Sequence, residues 1–218
     1  MAPEIRRHIE LCSIHLPGRD SNQNEPLVYE LAPLLEALDP VIASYPDLPY
    51  AFFGHSMGAI LSFELARQLR KQGMPGPVHM TVCGHRAPHL EDLHMAIHKM
   101  PDAEFRAKLR EFGGTPEEVL RDEELMELLT PVLRADFAVC ESYSHTAEEP
   151  LDCSITVFGG ADDPKVSQHE LAAWRAQTTG PFSLRMFPGG HFFLQSAQVL
   201  FLRVLGQDLK DVLRRLPY

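Results

Sequence analysis

The chain has 218 residues, 44% of them hydrophobic and 23% charged, a composition typical of one folded domain with a sizeable core. Its formal net charge is -10, and no Lys/Arg cluster interleaved with aromatic residues occurs, so nucleic acid is not an expected partner. Apolar runs stop short of the roughly 20 residues that a membrane span needs, and the opening MAPEIRRHIE lacks the apolar segment of a signal peptide. We therefore expect a cytoplasmic protein that does not bind membranes.

The first half of the chain alternates between strand-like and helix-like patterns. HIELCSIHLPGR predicts a buried strand that ends at Pro17-Gly18. EPLVYELAPLLEALDPVIASY predicts a helix, which Pro33 and Pro40 would kink or split. The strand YAFFG follows, then a helix from about Met57 to Gln72 with Gly73 as its C-cap, and then the strand VHMTVCG.

The second half begins with a helical region and then returns to alternation. Residues 88–142 show no clear strand and are predicted to form helices broken at Pro101, Gly113-Gly114, Pro116 and Pro131. After them come the strand SITVFGG, a helix around SQHELAAWRAQ, the strand FSLRMFPGG and the helix SAQVLFLRVLGQDLKDVL. This order predicts an α/β fold with a mostly parallel sheet covered on both faces, residues 1–218 forming one domain with a helical insert at 88–142.

A serine between glycines lies where the predicted strand YAFFG meets the helix that follows it. Gly54-His55-Ser56-Met57-Gly58 fits G-x-S-x-G, the pattern of a sharp turn that lifts a serine hydroxyl above the sheet. Glycine at both flanking positions avoids collisions across such a turn. Ser56 is therefore predicted to be a nucleophile, with the free N–H groups of the following helix aimed at the oxyanion.

A serine nucleophile needs a base and a carboxylate that orients the base, and both follow in the order this fold uses. His191 lies in FPGGHFFL, on a glycine-rich loop after a strand, and is the predicted base. VFGGADDPKV offers Asp162 and Asp163 past another strand end. We favour Asp163, because it completes G-x-x-D from Gly160, with Asp162 as a solvated loop residue.

Other reactive side chains favour structural interpretations. Cys12, Cys83, Cys140 and Cys153 are widely spaced and form no C-x-x-C pair, so we expect buried thiols rather than disulfides. His94 and His98 are spaced i, i+4 near His89, but no H-E-x-x-H and no clear third ligand accompany them, which favours a solvated helix face over a metal site. His55 is explained by packing of the turn. We expect neither a metal nor a cofactor.

Five blocks of sequence together resemble those of one known family. They are HLPGR, PYAFFGHSMGAILSFELAR, LRADF, FGGADDPKVS with Trp174 after it, and FPGGHFFL. In this order and spacing, the chain resembles the type II, or external, thioesterases that accompany nonribosomal peptide and polyketide synthases in pathways such as antibiotic biosynthesis. These enzymes have the α/β-hydrolase fold.

The resemblance implies a role for each site residue. Ser56 would be the nucleophile, His191 the general base and then acid, and Asp163 its orienting group, while the Met57 backbone N–H would serve the oxyanion hole. Residues 88–142 would be the lid over an acyl pocket. The substrate would be an acyl group on the phosphopantetheine arm of an acyl or peptidyl carrier protein, and we expect the enzyme to be a monomer.

One family block has no counterpart in this sequence. Family members normally begin with a strand and a Gly-rich loop, such as CFPHAGG, before the segment that matches IELCSIH, whereas this sequence starts at Met1-Ala-Pro-Glu. We therefore expect an N-terminally short fold without the loop that supplies the second oxyanion N–H. Two alternatives to an active thioesterase remain open: a non-catalytic remnant or carrier-binding module, and a general serine esterase on oxygen esters.

Overall fold

A computed structural model describes residues 9–44, 48–90 and 96–216. Its strands are β1 Ala51–His55, β2 His79–Cys83, β3 Ser154–Gly160 and β4 Phe182–Phe187. Its α-helices are α1 Leu31–Ala43, α2 Met57–Lys71, α3 Asp102–Phe112, α4 Glu117–Arg121, α5 Glu123–Ser142, α6 Gln168–Ala172, α7 Phe193–Ser196 and α8 Gln198–Leu213. Short 3-10 turns occupy Asp20–Asn22, Ile97–Lys99 and Ala173–Gln177.

The strands form one parallel sheet in the order β1-β2-β3-β4. Strands β2 and β3 lie in the middle and are almost wholly buried, as their continuous apolar runs predicted. Because all the strands run the same way, their carboxyl ends meet at one edge. The segments that follow β1, β3 and β4 carry Ser56, Asp163 and His191 to that edge.

Helices cover both faces of the sheet, so the predicted α/β fold is confirmed. On one face, side chains of α1 and α2 pack with Met80, Val82 and Trp174 in the larger core. On the other face, Phe158 and Phe201 belong to a smaller aromatic cluster, to which α7 and α8 contribute. Alternate residues of the central strands supply the two cores, since successive side chains of a strand point to opposite faces.

The region between β2 and β3 is helical, as predicted, and has a small core of its own. Buried side chains from α3, α4, α5 and the preceding 3-10 turn form it: Ile97, Phe105, Leu109, Leu120 and Met126. Helix α5 also packs against α1 and α2, which joins this layer to the main core. A break at Pro131 was expected, but α5 continues through it. The proline removes one backbone hydrogen bond, and this loss is tolerated because buried residues of α5 pack both before and after Pro131.

The strand predicted from HIELCSIHLPGR is wrong. Residues 9–16 have no regular structure, and Leu11 and Ile14 are 80% and 41% exposed. A strand needs a neighbour to pair its backbone groups, and no strand of the described chain lies beside these residues. The short apolar runs of this segment indicated a strand but contained no information about that neighbour.

Two further predictions differ in detail. Helix α1 is not split, because Pro33 lies in its first turn, where an N–H has no intrahelical acceptor, and Pro40 lies close to its end. Cys12 is exposed rather than buried, whereas Cys83 and Cys153 are buried and Cys140 is half-buried. In the described ranges, no helix is long and apolar enough to cross a membrane.

Candidate active site

Ser56 sits on a strained turn between β1 and α2. Its backbone has φ 52° and ψ -117°, in the left-handed half of the map that side chains normally avoid. Such a conformation costs about 1–3 kcal/mol and persists only where the surroundings enforce it. The Ser56 N–H donates to the Cys83 carbonyl at 2.8 Å, which ties the turn to the end of β2.

The glycines that flank the serine are not equivalent. A Cβ on Gly54 would lie 2.0 Å from the Gly58 carbonyl oxygen, so only glycine fits there without a backbone shift. A Cβ on Gly58 would meet nothing within 4 Å of the described atoms. The expected steric requirement therefore holds at Gly54, and no described atom imposes it at Gly58.

The structure brings His191 between Ser56 and Asp163. His191 Nε2 lies 3.1 Å from Ser56 Oγ, and His191 Nδ1 lies 2.8 Å from Asp163 Oδ2. The His191 and Asp163 side chains are only 3% and 1% exposed, so water competes little for this hydrogen bond. With Nδ1–H donating to the carboxylate, Nε2 is left free to accept the serine proton.

Asp163, and not Asp162, faces the imidazole. The second oxygen of Asp163, Oδ1, accepts the Lys165 backbone N–H at 2.8 Å, so both carboxylate oxygens are held. The side chain of Asp162 is exposed, although its N–H donates to the Gly189 carbonyl at 3.0 Å and joins the loops after β3 and β4. The structure thus distinguishes the two aspartates, of which the sequence analysis favoured Asp163 as the partner of His191.

His55 supports His191 in a way that the sequence analysis missed. Its Nε2–H donates to the His191 backbone carbonyl at 2.9 Å, which fixes the loop that carries His191. Burial, reinforced by the neighbouring His191, lowers the pKa of His55 to about 4, so this imidazole is neutral at pH 7. The adjacency of a histidine to the predicted nucleophile was the available signal, and packing alone was too weak an interpretation of it.

Met57 is the first residue of α2, directly after Ser56. N–H groups in the first turn of a helix have no acceptor within the helix. The Met57 N–H is therefore available to a negative oxygen formed beside the serine, and the helix dipole favours charge at this end.

A small pocket of about 20 Å³ lies between the sheet edge and α5. A Cβ on Gly84, which lines the pocket, would lie 3.1 Å from His55 Nε2 and 3.3 Å from His191 Cε1. A side chain at Gly84 would therefore crowd both imidazoles. Apolar side chains line much of the rest, including Ile97, Phe137 and Val166.

The histidines considered as metal ligands have other partners. His89 Nδ1 lies 2.7 Å from Gln177 Nε2, and His98 Nδ1 pairs with Glu141. His94 lies outside the described residues. Among residues 9–44, 48–90 and 96–216, no group of His, Cys, Asp or Glu side chains could hold a metal ion.

Comparisons with known proteins find similar chains. The thioesterase domain family model matches residues 1–208. The gramicidin S biosynthesis protein GrsT of Aneurinibacillus migulanus is 44% identical over 207 residues, covering 95% of this chain and 81% of that protein. Thioesterase PikA5 of Streptomyces venezuelae is 38% identical over 194 residues, covering 88% of this chain and 68% of that protein. Among solved structures, RedJ, a thioesterase from the prodiginine pathway of Streptomyces coelicolor, superposes with a TM-score of 0.83 at 38% identity, covering 89% of this chain and 77% of that one.

Proposed function

The chain belongs to the thioesterase family, and we propose that it hydrolyses acyl thioesters carried on the phosphopantetheine arm of acyl or peptidyl carrier proteins. The relatives that support this are a gramicidin S biosynthesis protein, the thioesterase PikA5 and a thioesterase from a prodiginine biosynthetic pathway. The observation that carries the proposal is the hydrogen-bonded series Ser56, His191 and Asp163 on a strained turn. Release of misprimed or stalled acyl groups is the role that we propose within such a synthase.

The first half of the reaction transfers the acyl group to the enzyme. Ser56 Oγ attacks the thioester carbonyl carbon while His191 Nε2 takes the serine proton. Asp163 stabilises the imidazolium that forms and keeps the ring in the required tautomer. Collapse of the tetrahedral intermediate breaks the C–S bond, His191 returns the proton to sulfur, and the carrier leaves with a free thiol.

The negative oxygen of that intermediate needs donors that are already in place. We infer that the Met57 N–H is one of them, because it begins α2 immediately after Ser56 and has no acceptor within the helix. A donor of this kind is typically worth about 3–4 kcal/mol in the transition state.

The second half of the reaction releases the acid. Water attacks the acyl-Ser56 carbonyl while His191 Nε2 takes a proton from it, and the same nitrogen then protonates Ser56 Oγ as the ester bond breaks. The cycle returns the enzyme to its starting state. We propose that this chain carries it out without a metal or cofactor.

We further propose that residues 88–142 act as a lid on a single domain of 218 residues that works as a monomer. The core that α3, α4 and α5 form among themselves supports this, since helices that pack on one another can shift together, with α5 as their connection to α1 and α2. The pocket beneath α5, of about 20 Å³, is where we propose that an acyl chain enters once the lid shifts away from the sheet.

Loss of an acyl group from a loaded carrier protein, followed by intact mass, tests the proposal. We expect hydrolysis by the wild type, none above background by Ser56→Ala, and wild-type rates for the exposed control Ser21→Ala. Hydrolysis that persists in Ser56→Ala would contradict the mechanism, and an inactive wild type would favour a non-catalytic module. A higher kcat/KM on a simple oxygen ester than on the carrier-bound thioester would favour a general esterase.

A further inference from the structure

Lys165 joins the loop of Asp163 to the helices above the site. Its backbone N–H donates to Asp163 Oδ1 at 2.8 Å. Its ammonium nitrogen lies 5.0 Å from the centroid of the Phe112 ring and 4.9 Å from that of Phe137. One residue therefore contacts the carboxylate of the triad with its main chain and two aromatic rings with its side chain.

Both rings belong to the proposed lid. Phe112 ends α3 and Phe137 lies in the C-terminal half of α5, and the two rings stack with centroids 5.8 Å apart. The Phe112 ring also lies 6.3 Å from the imidazole of His191. Any movement of these two rings therefore changes how the imidazole of His191 is covered.

A cation over aromatic faces is an attractive contact, and desolvation strengthens it. Lys165 is half-buried and lines the pocket, and in the described part of the chain no carboxylate lies within ion-pair distance of its ammonium group. The nearby acids have other partners, because Asp163 holds His191 and Glu141 pairs with His98. The rings of α3 and α5 are thus the side-chain contacts that the Lys165 charge makes.

We propose that Lys165 is a positioning residue, whose ammonium group holds Phe112 and Phe137 over the pocket while its backbone N–H orients Asp163. The kinetic consequence of this inference rests on the proposed function, whereas the contact between Lys165 and the two rings does not. With the charge removed and the backbone kept, the triad stays assembled and the roof of the pocket loosens. Binding of a carrier-tethered acyl group then suffers, while attack on a small ester does not.

Lys165→Met is the informative change, because methionine keeps an unbranched apolar side chain and the backbone N–H but has no charge. We expect the KM for a carrier-bound acyl thioester to rise roughly fivefold or more, the scale set by losing two cation–π contacts. We expect kcat on that substrate, and kcat/KM on p-nitrophenyl acetate, to stay within about twofold. Lys165→Arg should restore the wild-type KM.

Hydrogen exchange supplies a readout that does not depend on activity. Amides of 102–112 and 133–140 should exchange faster in Lys165→Met, and amides of β2 and β3 should not change. Lys108→Met is the matched control, since Lys108 lies on α3 but pairs with Glu111 at the surface and should leave exchange and kinetics as in the wild type.

Unchanged exchange of α3 and α5 in Lys165→Met would overturn the proposal. Equal losses on both substrates without rescue by Lys165→Arg would also overturn it, since Lys165 would then act only on the fold of the Asp163 loop. If the wild type hydrolyses no substrate, the proposed function fails, and the exchange experiment alone decides whether Lys165 holds the lid.

Discussion

Acidification should destabilise the sheet through His79, and His79→Gln should remove that effect. His79 begins β2 and is 2% exposed, with Nδ1 2.7 Å from Ser154 Oγ and Nε2 3.2 Å from Thr81 Oγ1. Burial, with the positive charge of Arg215, lowers the pKa of His79 to about 4. An imidazole in an unfolded chain has a pKa near 6.5.

The sign and size of the effect follow from proton linkage. Between about pH 4 and 6.5 the unfolded chain binds a proton at His79 that the folded chain does not, so the free energy of unfolding falls as the pH falls. Each pKa unit of difference is worth about 1.36 kcal/mol. Acidification from pH 7 to pH 5 should therefore cost the wild type about 2 kcal/mol at this residue alone.

Urea unfolding at pH 7, 6 and 5 measures the difference between the wild type and His79→Gln. Glutamine keeps a donor and an acceptor but does not titrate, so the variant should lose about 2 kcal/mol less than the wild type across this range. His55, which has a similarly lowered pKa, is present in both proteins and cancels. Equal losses in the two proteins would refute the reasoning that His79 stays neutral in the folded state.

Further substitutions test the turn, the acid and the core. Gly54→Ala should lower the free energy of unfolding by about 1–3 kcal/mol, because its Cβ would lie 2.0 Å from a carbonyl oxygen, whereas Gly58→Ala should be neutral or stabilising in urea unfolding. Asp163→Asn should lower kcat about 10³- to 10⁴-fold through the wrong imidazole tautomer, and Asp162→Asn should change it less than twofold in steady-state assays. Trp174→Phe should cost about 1–3 kcal/mol by circular dichroism, since the indole N–H donates to a backbone carbonyl at 2.8 Å in the core.

Each of these expectations has a clear counter-result. A fully stable Gly54→Ala would mean that the turn accommodates a side chain. Equal kinetic losses at Asp162 and Asp163 would mean that loop integrity, and not the orientation of His191, is what both residues supply. Tyr29→Phe is the control for Trp174→Phe, because Tyr29 is exposed. If the two variants lose the same stability, the indole hydrogen bond contributes nothing.

The parallel sheet was readable from the sequence because its signals are local. Strands buried on both faces appear as continuous apolar runs, as in β2 and β3, and the helices between them carry a different period. Parallel strands end at one edge, so polar residues just past those ends were predicted to meet there. The distances among Ser56, His191 and Asp163 agree with that expectation, while their roles remain a prediction.

The features that escaped prediction depend on partners that are distant in sequence. The short apolar runs around Leu11 indicated a strand but not whether a neighbouring strand would be there to pair with it. Helix α5 continues through Pro131 because tertiary packing outweighs one lost hydrogen bond. The contact between Lys165 and the rings of α3 and α5 has no motif, since it forms only when the helical region folds back over the sheet.

Trapping of an acyl group on Ser56 tests the central claim most directly. The wild type and Ser56→Ala would be mixed with an acyl carrier thioester, quenched in acid within the first turnover, and digested for peptide mass mapping. The account predicts an acyl mass increment on the peptide that contains Ser56 in the wild type and no increment anywhere in Ser56→Ala. Hydrolysis of the thioester by the wild type with no adduct on Ser56, or with an adduct on another residue, would contradict it.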